Sequence, residues 1–259
     1  MKHILITGAT GYFGRYFVNG LRDDFKIIAM GRNEAKLKEC FPDDDVILSI
    51  ADLYDTKALE KELKRLFETY EIHGLINNAY DFSKKTGFNV PDSKPEDLGL
   101  DEMRAAFESG LLAPTLVAQA VGKQMIQKKI QGSIVNISSM YGMVAPDYRL
   151  YEGKTVFNPM TYGIVKSGIN GLTRYLASFW GPYGIRCNSI SPGAMPNTET
   201  DSVNAPKDTE FLGRLEDKTT LGRVGHPKDL IGMTKLLLSD DSSYVTGQVI
   251  GVDGGWATI

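Results

Sequence analysis

Two tyrosine–lysine pairs in the sequence have a spacing that could support proton transfer. In Tyr162–Lys166 and in Tyr80–Lys84, the lysine follows the tyrosine by four positions. A phenol exchanges a proton efficiently near neutral pH only if its pKa of about 10 falls. An ammonium group one helical turn away would favour the phenolate. Such a pair suits hydride transfer between a secondary alcohol and a ketone, because the substrate oxygen must gain or lose a proton.

The surrounding sequence distinguishes the two pairs. Tyr162 begins a predicted helix over 160–180, and Ser139 ends a predicted strand upstream. Open α/β sheets place their sites at the carboxyl ends of strands, where a serine hydroxyl could hold the substrate oxygen. Tyr80 lies in a predicted loop, so helical spacing is not assured there. The sequence therefore predicts Ser139, Tyr162 and Lys166 as the catalytic residues.

Predicted strands and helices alternate along the whole chain. The strands are continuous runs of Ile, Val and Leu, which is typical of a parallel sheet covered by helices on both faces. They are predicted over 3–7, 25–30, 45–50, 72–79, 132–139, 185–193 and 247–255. Helices are predicted over 12–22, 33–41, 55–70, 101–130, 160–180 and 227–240. No repeat or linker divides the sequence, so we predict one doubly wound α/β domain over 1–259.

Composition narrows the class of protein. With 42% hydrophobic and 24% charged residues, the 259-residue chain is typical of a soluble globular protein. The net charge of −3, without a basic block, argues against nucleic acid as a partner. Cys40 and Cys187 form neither a disulfide framework nor a metal-ligand set. No apolar run approaches the ~20 residues of a membrane span. We therefore expect a cytoplasmic protein without a metal.

A glycine-rich turn follows the first predicted strand. The segment TGATGYFG places Gly8, Gly11 and Gly14 between that strand and the next helix. Dinucleotide-binding folds need glycines here for a tight turn, for approach of the pyrophosphate and for helix packing. The N–H groups at the helix N-terminus would then face the phosphates. The turn predicts nucleotide binding, although glycine turns without a ligand are also common.

The end of the second predicted strand bears on the choice of cofactor. An acidic residue at this point holds the ribose 2′-OH of NAD, whereas an arginine accommodates the 2′-phosphate of NADP. The sequence here is MGRN, so Arg32 favours NADP(H), although a solvated loop arginine is the alternative. Asp52, after the third strand, could reach the adenine amino group or cap the following helix.

Several motifs in order resemble those of the short-chain dehydrogenase/reductase family. They are TGATGYFG, NNA at 77–79, NISS at 136–139, YGIVK at 162–166, SPG at 191–193 and VDGG at 252–255. The resemblance covers nearly the whole chain. It implies a Rossmann-type sheet of seven strands in the order 3-2-1-4-5-6-7. It also implies a nicotinamide cofactor, a small-molecule substrate and a homo-oligomer, either a dimer or a tetramer.

The resemblance also implies roles for individual residues. Tyr162 would act as acid and base, Ser139 would orient the substrate, and Lys166 would lower the tyrosine pKa and bind the nicotinamide ribose. The implied cofactor site consists of Gly8, Thr10, Gly11, Tyr12, Phe13, Gly14, Arg32, Asp52, Leu53, Asn78, Ala79, Tyr162, Lys166, Pro192, Gly193 and Met195. The segment over about 194–224 would cover the substrate.

Three positions depart from the family pattern. The glycines follow G-x-x-G-x-x-G, with Tyr12 where a glycine is usual, and this spacing is closer to the longer sugar-nucleotide branch. Tyr80 replaces the glycine that usually follows NNA. Gly110 stands where many relatives have an asparagine that supports a proton-relay water. The relay would then use backbone and water alone, or Ser109.

An insertion over about 145–160 lengthens the spacing between Ser139 and Tyr162. Its members Tyr148, Arg149 and Tyr151 suit a polar ligand such as a sugar, a phosphate or a carboxylate. An oligomer contact or a solvated lid is the alternative. The insertion, the NNAY segment and the glycine spacing resemble bacterial reductases of flagellin-modification and nonulosonic-acid pathways.

Three hypotheses of function remain at this point. The first is an NADP(H)-dependent oxidoreductase that interconverts a secondary alcohol and a ketone on a sugar-like substrate. The second is a sugar-nucleotide epimerase or dehydratase that retains NAD, which the length of the chain disfavours. The third is a non-catalytic dinucleotide-binding sensor or scaffold, which Tyr80 and Gly110 leave open.

Overall fold

The computed structural model describes residues 1–91, 94–197 and 208–258. Within these ranges, parallel strands form one seven-stranded sheet in the order β3-β2-β1-β4-β5-β6-β7. The strands are β1 (His3–Thr7), β2 (Lys26–Gly31), β3 (Val46–Ile50), β4 (Ile72–Asn77), β5 (Ser133–Ile137), β6 (Arg186–Pro192) and β7 (Val249–Val252). The predicted fold class and strand order are confirmed.

Helices cover both faces of the sheet. They are α1 (Tyr12–Leu21), α2 (Glu34–Cys40), α3 (Thr56–Thr69), α4 (Leu100–Phe107), α5 (Ala113–Lys128), α6 (Met160–Trp180), α7 (Thr209–Asp217) and α8 (Lys228–Leu238). One core cluster joins α1, α2 and α8 to the sheet, and a second joins α3, α5 and α6 to the other face. The strands therefore bury side chains on both sides, which explains their continuous apolar sequences. Among the helices described, none is long and apolar enough to cross a membrane.

The helix predicted over 101–130 is interrupted. Residues Glu108–Leu112 form a π-helical turn between α4 and α5. Pro114 has no N–H, so the carbonyl of Gly110 cannot accept the usual α-helical hydrogen bond from that position. Single π-helical turns within α-helices are rare, and they often mark a functional site. The single long helix of the sequence interpretation was therefore wrong at this point.

Helix α7 was also missed, because the segment over about 194–224 has few helical signals in the sequence. The Asp208 side chain accepts a hydrogen bond from the Phe211 N–H and so caps the helix. Residues 198–207 of the segment lie outside the described residues. Asp55 caps α3 in the same way, since its side chain accepts a hydrogen bond from the Ala58 N–H at 3.0 Å.

Candidate active site

The glycine turn after β1 packs too closely to carry side chains. Gly8 has φ +65°, and a Cβ on it would lie 2.8 Å from the Ala79 Cα. A Cβ on Gly14 would overlap the Gly8 carbonyl oxygen. Gly14 therefore lets α1 pack against the turn, while Gly8 lets the turn pass beside the segment after β4.

The N-terminus of α1 has the chemistry that a phosphate requires. Gly11 is its N-cap residue, and no side chain caps the first turn. Backbone N–H groups at such a terminus favour an anion through direct hydrogen bonds and through the helix dipole. The Tyr12 hydroxyl donates to the Pro196 carbonyl over 3.5 Å, which connects this turn with the segment after β6. These residues fit the diphosphate of a dinucleotide.

Asn78 braces the glycine turn from the neighbouring strand. Its side-chain amide donates to the carbonyls of Thr7 and Gly8, at 3.0 and 3.2 Å. The N–H groups of Asn78 and Ala79 both donate to the Thr7 hydroxyl. The NNA motif thus fixes the shape of the turn through these hydrogen bonds.

A cleft of about 520 Å³ extends from the glycine turn to the start of α6. The following members of the implied cofactor site line it: Gly8, Thr10, Gly11, Tyr12, Phe13, Arg32, Asp52, Leu53, Asn78, Ala79, Tyr162, Lys166 and Met195. Gly14 lies beneath the turn. Pro192 ends β6, and Gly193 lines a separate cavity beside the 251–255 segment. Most of the implied set therefore surrounds one cavity.

At one end of the cleft, Arg32 is exposed and the structure describes no ion pair for it. Asp52 accepts a hydrogen bond from the Tyr54 N–H at 3.0 Å, so it shapes the turn before α3. The cap of α3 is Asp55, so the helix-capping alternative for Asp52 is wrong. Asp52 also lines the cleft.

Sequence reasoning missed Tyr54 and Asp81 as residues of the same cleft. The Tyr54 hydroxyl donates to the Asp81 carboxylate at 2.9 Å, and the Lys85 Nζ lies 3.5 Å from the Tyr54 ring centre. Both residues follow a strand at its carboxyl end, which is the signal that could have identified them. The lining residues outside the implied cofactor site also include Met30, Gly31, Ala51, Tyr80, Phe82, Ser109, Ile137, Ser138 and Asn197, of which Ser109 was predicted as an alternative group for the proton relay.

The first two turns of α6 bring Tyr162 and Lys166 to the far end of the cleft. The Lys166 Nζ lies 5.5 Å from the centre of the Tyr162 ring. It donates a hydrogen bond to the Ile137 carbonyl at 2.8 Å, at the end of β5. The Ser138 hydroxyl donates to the Lys166 carbonyl at 3.1 Å and so ties α6 to the same strand end.

Ser139 is buried beside this pair. Its hydroxyl accepts a hydrogen bond from the Tyr141 N–H at 3.1 Å. Ser139 acts to lower the pKa of the neighbouring Tyr162 phenol. The three predicted catalytic residues are therefore brought together, although Ser139 does not line the cleft wall itself.

Burial dominates the electrostatics of the pair. It raises the pKa of Tyr162 to about 12, against the opposing influence of Ser139. It lowers the pKa of Lys166 to about 7. The direction for Tyr162 is opposite to the sequence expectation, because desolvation of the phenolate outweighs the other contributions and the lysine bonds the Ile137 carbonyl. In the protein alone, Tyr162 is thus a proton donor at neutral pH.

The pair Tyr80–Lys84 does not form a second unit of this kind. Residues 78–82 are not helical, and Lys84 is exposed in a short 3-10 turn. Tyr80 itself packs beside Tyr162, with ring centres 5.2 Å apart. Phe82 and Phe88 lie 5.8 and 5.3 Å from the same ring. These four rings form an aromatic cluster at the catalytic end of the cleft.

The insertion packs beside the catalytic end of the cleft, because its Leu150 and Tyr151 belong to the same apolar cluster as Tyr162. Tyr148, Arg149 and Tyr151, predicted to bind substrate, form a 3-10 turn, and none of them lines the cavity. The Arg149 guanidinium pairs with Asp147 at 2.8 Å, and the Tyr151 ring packs 5.6 Å from that of Phe211 on α7.

Charged groups fasten the insertion to α7. Asp147 pairs with Lys218 at 3.0 Å, and Lys154 pairs with Asp208. The Arg214 guanidinium donates to the Glu152 carbonyl at 2.7 Å. The polar residues of the insertion therefore dock it on α7.

Across the part of the chain that the structure describes, no group of three or more His, Cys, Asp or Glu could hold a metal ion.

Comparisons with known proteins show which family the chain resembles. A family model described as enoyl-(acyl carrier protein) reductase matches residues 26–257. L-xylulose reductase of Caenorhabditis elegans is 30% identical, over 99% of this chain and 96% of its own. L-rhamnose 1-dehydrogenase (NAD(P)(+)) of Sphingomonas sp. (strain SKA58) is 27% identical, over 98% and 95%. A crystal structure of a short chain dehydrogenase from Leptospira borgpetersenii with bound NAD⁺ has 30% identity and a TM-score of 0.85, covering 99% and 92%.

A doubly wound sheet, an open helix N-terminus and a half-buried tyrosine paired with a buried lysine in one cleft define an NAD(P)-dependent oxidoreductase that acts on CH–OH groups. The chain belongs to the short-chain dehydrogenase/reductase family, as the family model and the relatives show over nearly its whole length.

Proposed function

We propose that the protein is an NADP(H)-dependent oxidoreductase that interconverts a secondary alcohol and a ketone on a sugar-like, polar substrate. The observation that carries the proposal is the cleft shared by the glycine turn, Arg32, Tyr162 and Lys166. The names of the relatives, an L-xylulose reductase and an L-rhamnose 1-dehydrogenase, support a sugar substrate. The NNAY segment and the long insertion support the narrower class of flagellin-modification or nonulosonic-acid reductases.

The residues of the chain supply binding and proton transfer. When bound, the nicotinamide cofactor supplies the hydride for reduction or accepts it in oxidation. The Tyr162 hydroxyl donates its proton to the ketone oxygen in reduction and recovers it in oxidation. The Ser139 hydroxyl donates a hydrogen bond to the same oxygen. The Lys166 ammonium stabilises the tyrosinate that remains after reduction.

A substrate panel tests the reaction class. We expect turnover with NADP⁺ or NADPH on sugars such as L-rhamnose and L-xylulose, and at least about tenfold less on an enoyl thioester. The Tyr162 hydroxyl is placed to exchange a proton with a carbonyl oxygen, whereas reduction of a C=C bond places the proton on carbon. The measurement is the change in absorbance at 340 nm with each substrate. Turnover on the thioester alone would contradict the proposed substrate class.

The preference for NADP(H) depends on Arg32. We expect Arg32→Ala to weaken NADPH binding about 10- to 100-fold, because a charge-assisted hydrogen bond to the 2′-phosphate is lost. Binding of NADH should change by less than about threefold, since it lacks that phosphate. Fluorescence titration of both cofactors measures the two constants.

Lys36→Ala provides the matched control for Arg32, because Lys36 is an exposed cation on the adjoining α2 and does not line the cleft. It should leave both dissociation constants unchanged. Equal weakening of NADPH and NADH by Arg32→Ala, or a wild-type preference for NADH, would mean that Arg32 does not select the cofactor.

For its assembly, we propose a cytoplasmic homo-oligomer. The Tyr175 and Phe179 rings stack 4.9 Å apart on the outer side of α6 and are 61% and 62% exposed, which suits a contact between copies. Light scattering that gave a monomer mass would contradict this assembly.

A further inference from the structure

Tyr80 touches both members of the proton-transfer pair. Its ring packs edge to face with that of Tyr162, at 5.2 Å between centres and an interplanar angle of 78°. The Lys166 Nζ lies above the Tyr80 ring, 5.2 Å from its centre. A cation at this distance from an aromatic face is attracted by the ring quadrupole. Tyr80 is therefore placed to act on the lysine.

Gly110 leaves the space that the Tyr80 ring occupies. A Cβ at Gly110 would lie 2.5 Å from the Tyr80 Cε2 and 2.6 Å from the Val165 Cγ1. Gly110 lies in the π-helical turn whose hydrogen bonding Pro114 disrupts. Tyr80 and Gly110, the two residues here that depart from the family pattern, therefore pack against each other.

The ring of Tyr80 matters here, and its hydroxyl does not. The Oη atom is buried without a hydrogen-bond partner among the residues that the structure describes. Burial raises the pKa of Tyr80, so the phenol stays neutral over the working range of pH. The group that faces Lys166 is consequently the aromatic face alone.

Lys166 has little other support for its charge. The side chain is 4% exposed, and the Ile137 carbonyl at the end of β5 is its hydrogen-bond acceptor. The titratable groups that face it are Tyr162 from α6 and Tyr80 from the segment after β4. Ser109 of the π-helical turn lines the same cleft as Lys166, and its hydroxyl donates a hydrogen bond to the Ala105 carbonyl. No carboxylate in the described chain pairs with it, so burial acts against the ammonium form.

We propose that Tyr80 is a positioning residue of the active site, whose ring, seated on Gly110, holds the Lys166 side chain in place as an ammonium group. The inference rests on the proposed function of Tyr162 and Lys166 as the proton-transfer pair. It gives this chain an aromatic support for the lysine at the place where the family pattern has a glycine and an asparagine.

Competitive acetylation of Lys166 with acetic anhydride tests this inference without any substrate. The yield is read by peptide mass spectrometry across a pH series, which gives the pKa of the amine in the intact protein. The wild-type value should lie near 7. In Tyr80→Leu it should fall by about 0.5 to 1.5, because the attraction of the ring for the cation is lost. Tyr80→Phe keeps the ring and should keep the wild-type value.

Phe88→Leu is the matched control. Phe88 packs against both Tyr162 and Tyr80 in the same aromatic cluster, and the structure describes no contact between it and Lys166. It should leave the lysine pKa unchanged. A pKa in Tyr80→Leu that is unchanged or higher, or the same fall in Phe88→Leu, would overturn the inference, because the ring would then do no more than fill space.

Gly110→Ala provides an independent variant should Tyr80→Leu not fold. Its methyl group would push the Tyr80 ring aside, so the lysine pKa should fall here too. In a double-mutant cycle, Gly110→Ala should lower this pKa when Tyr80 is present and not when it is combined with Tyr80→Leu. Equal effects with and without the ring would contradict the paired contact.

Kinetics separate this inference from the proposed function. For a sugar substrate, the rise of kcat/KM for oxidation with pH should move to higher pH in Tyr80→Leu, because the tyrosinate loses its neighbouring charge, and Tyr80→Phe should restore it. A fall in the lysine pKa without sugar turnover in the wild type would support the role of Tyr80 and refute the proposed substrate.

Discussion

Replacing Tyr162 by phenylalanine should lower kcat for the oxidoreduction by about 100- to 10,000-fold while cofactor binding remains within about threefold of the wild type. The first figure is the usual contribution of a positioned general acid or base. The second follows from the position of Tyr162, which lies at the start of α6 at the catalytic end of the cleft and not at the glycine turn. Single-turnover kinetics and NADPH titration measure the two effects.

The pKa of Tyr162 predicts how the rates of oxidation and reduction change with pH. Burial raises the pKa of Tyr162 to about 12, so the phenol is protonated at neutral pH. A protonated tyrosine is the form required for ketone reduction, whereas oxidation requires the tyrosinate. The wild-type rate of oxidation should therefore rise with pH between about 7 and 10, and the rate of reduction should not rise.

Tyr80→Phe is the control for loss of a phenol in the same cluster, and it should retain turnover because the Tyr80 hydroxyl makes no hydrogen bond with a described residue. Retained turnover in Tyr162→Phe would remove Tyr162 from the mechanism. A matching loss in Tyr80→Phe would mean that the two phenols act together.

The fold was predictable because its strands are buried locally and continuously. Ile4, Ile27 and Ile134 have no exposed surface, and each lies in an apolar run that identifies a strand without any knowledge of its neighbours. The strand order came from the resemblance of ordered motifs, not from these runs. The interruption between α4 and α5 was harder to predict from the sequence, because one proline inside a strong helical pattern usually indicates a kinked helix.

Contacts between distant segments were not predictable in this way. Tyr80, Gly110 and Val165 are far apart in sequence, so the need for a glycine at Gly110 appears only when the ring is in place. The polar residues of the insertion suggested a ligand, but Asp147 and Lys154 form ion pairs with Lys218 and Asp208. Charge alone does not distinguish a partner in the same chain from a ligand.

The size of the Tyr162 pKa shift could not be predicted from the sequence either. Four-residue spacing placed Lys166 on the same side of α6 as Tyr162, as the structure has it. The spacing says nothing about burial, which acts against the charged form of both groups. The motif therefore predicts the members of the pair more reliably than their protonation states.

The second large effect is expected from a substitution in the glycine turn. Gly14→Ala should destabilise the protein by about 1 to 3 kcal/mol, because the new methyl group overlaps the Gly8 carbonyl oxygen and lies 2.7 Å from the Ala9 backbone. This steric cost exceeds the gain of up to about 1 kcal/mol that alanine brings to a helix. Thermal unfolding should accordingly show a lower Tm.

Gly14→Ala should also weaken NADPH binding by at least about tenfold. Relief of the overlap must separate α1 from the turn, and the N–H groups of Gly11 and its neighbours then lose their common direction toward the phosphates. Gly232→Ala is the matched control, since a Cβ at this helical position of α8 meets nothing within 4 Å. It should raise stability by about 0.4 to 1 kcal/mol and leave cofactor binding unchanged. Wild-type affinity in Gly14→Ala, with or without a lower Tm, would mean that the close packing of turn and helix serves folding alone and that the phosphates bind elsewhere.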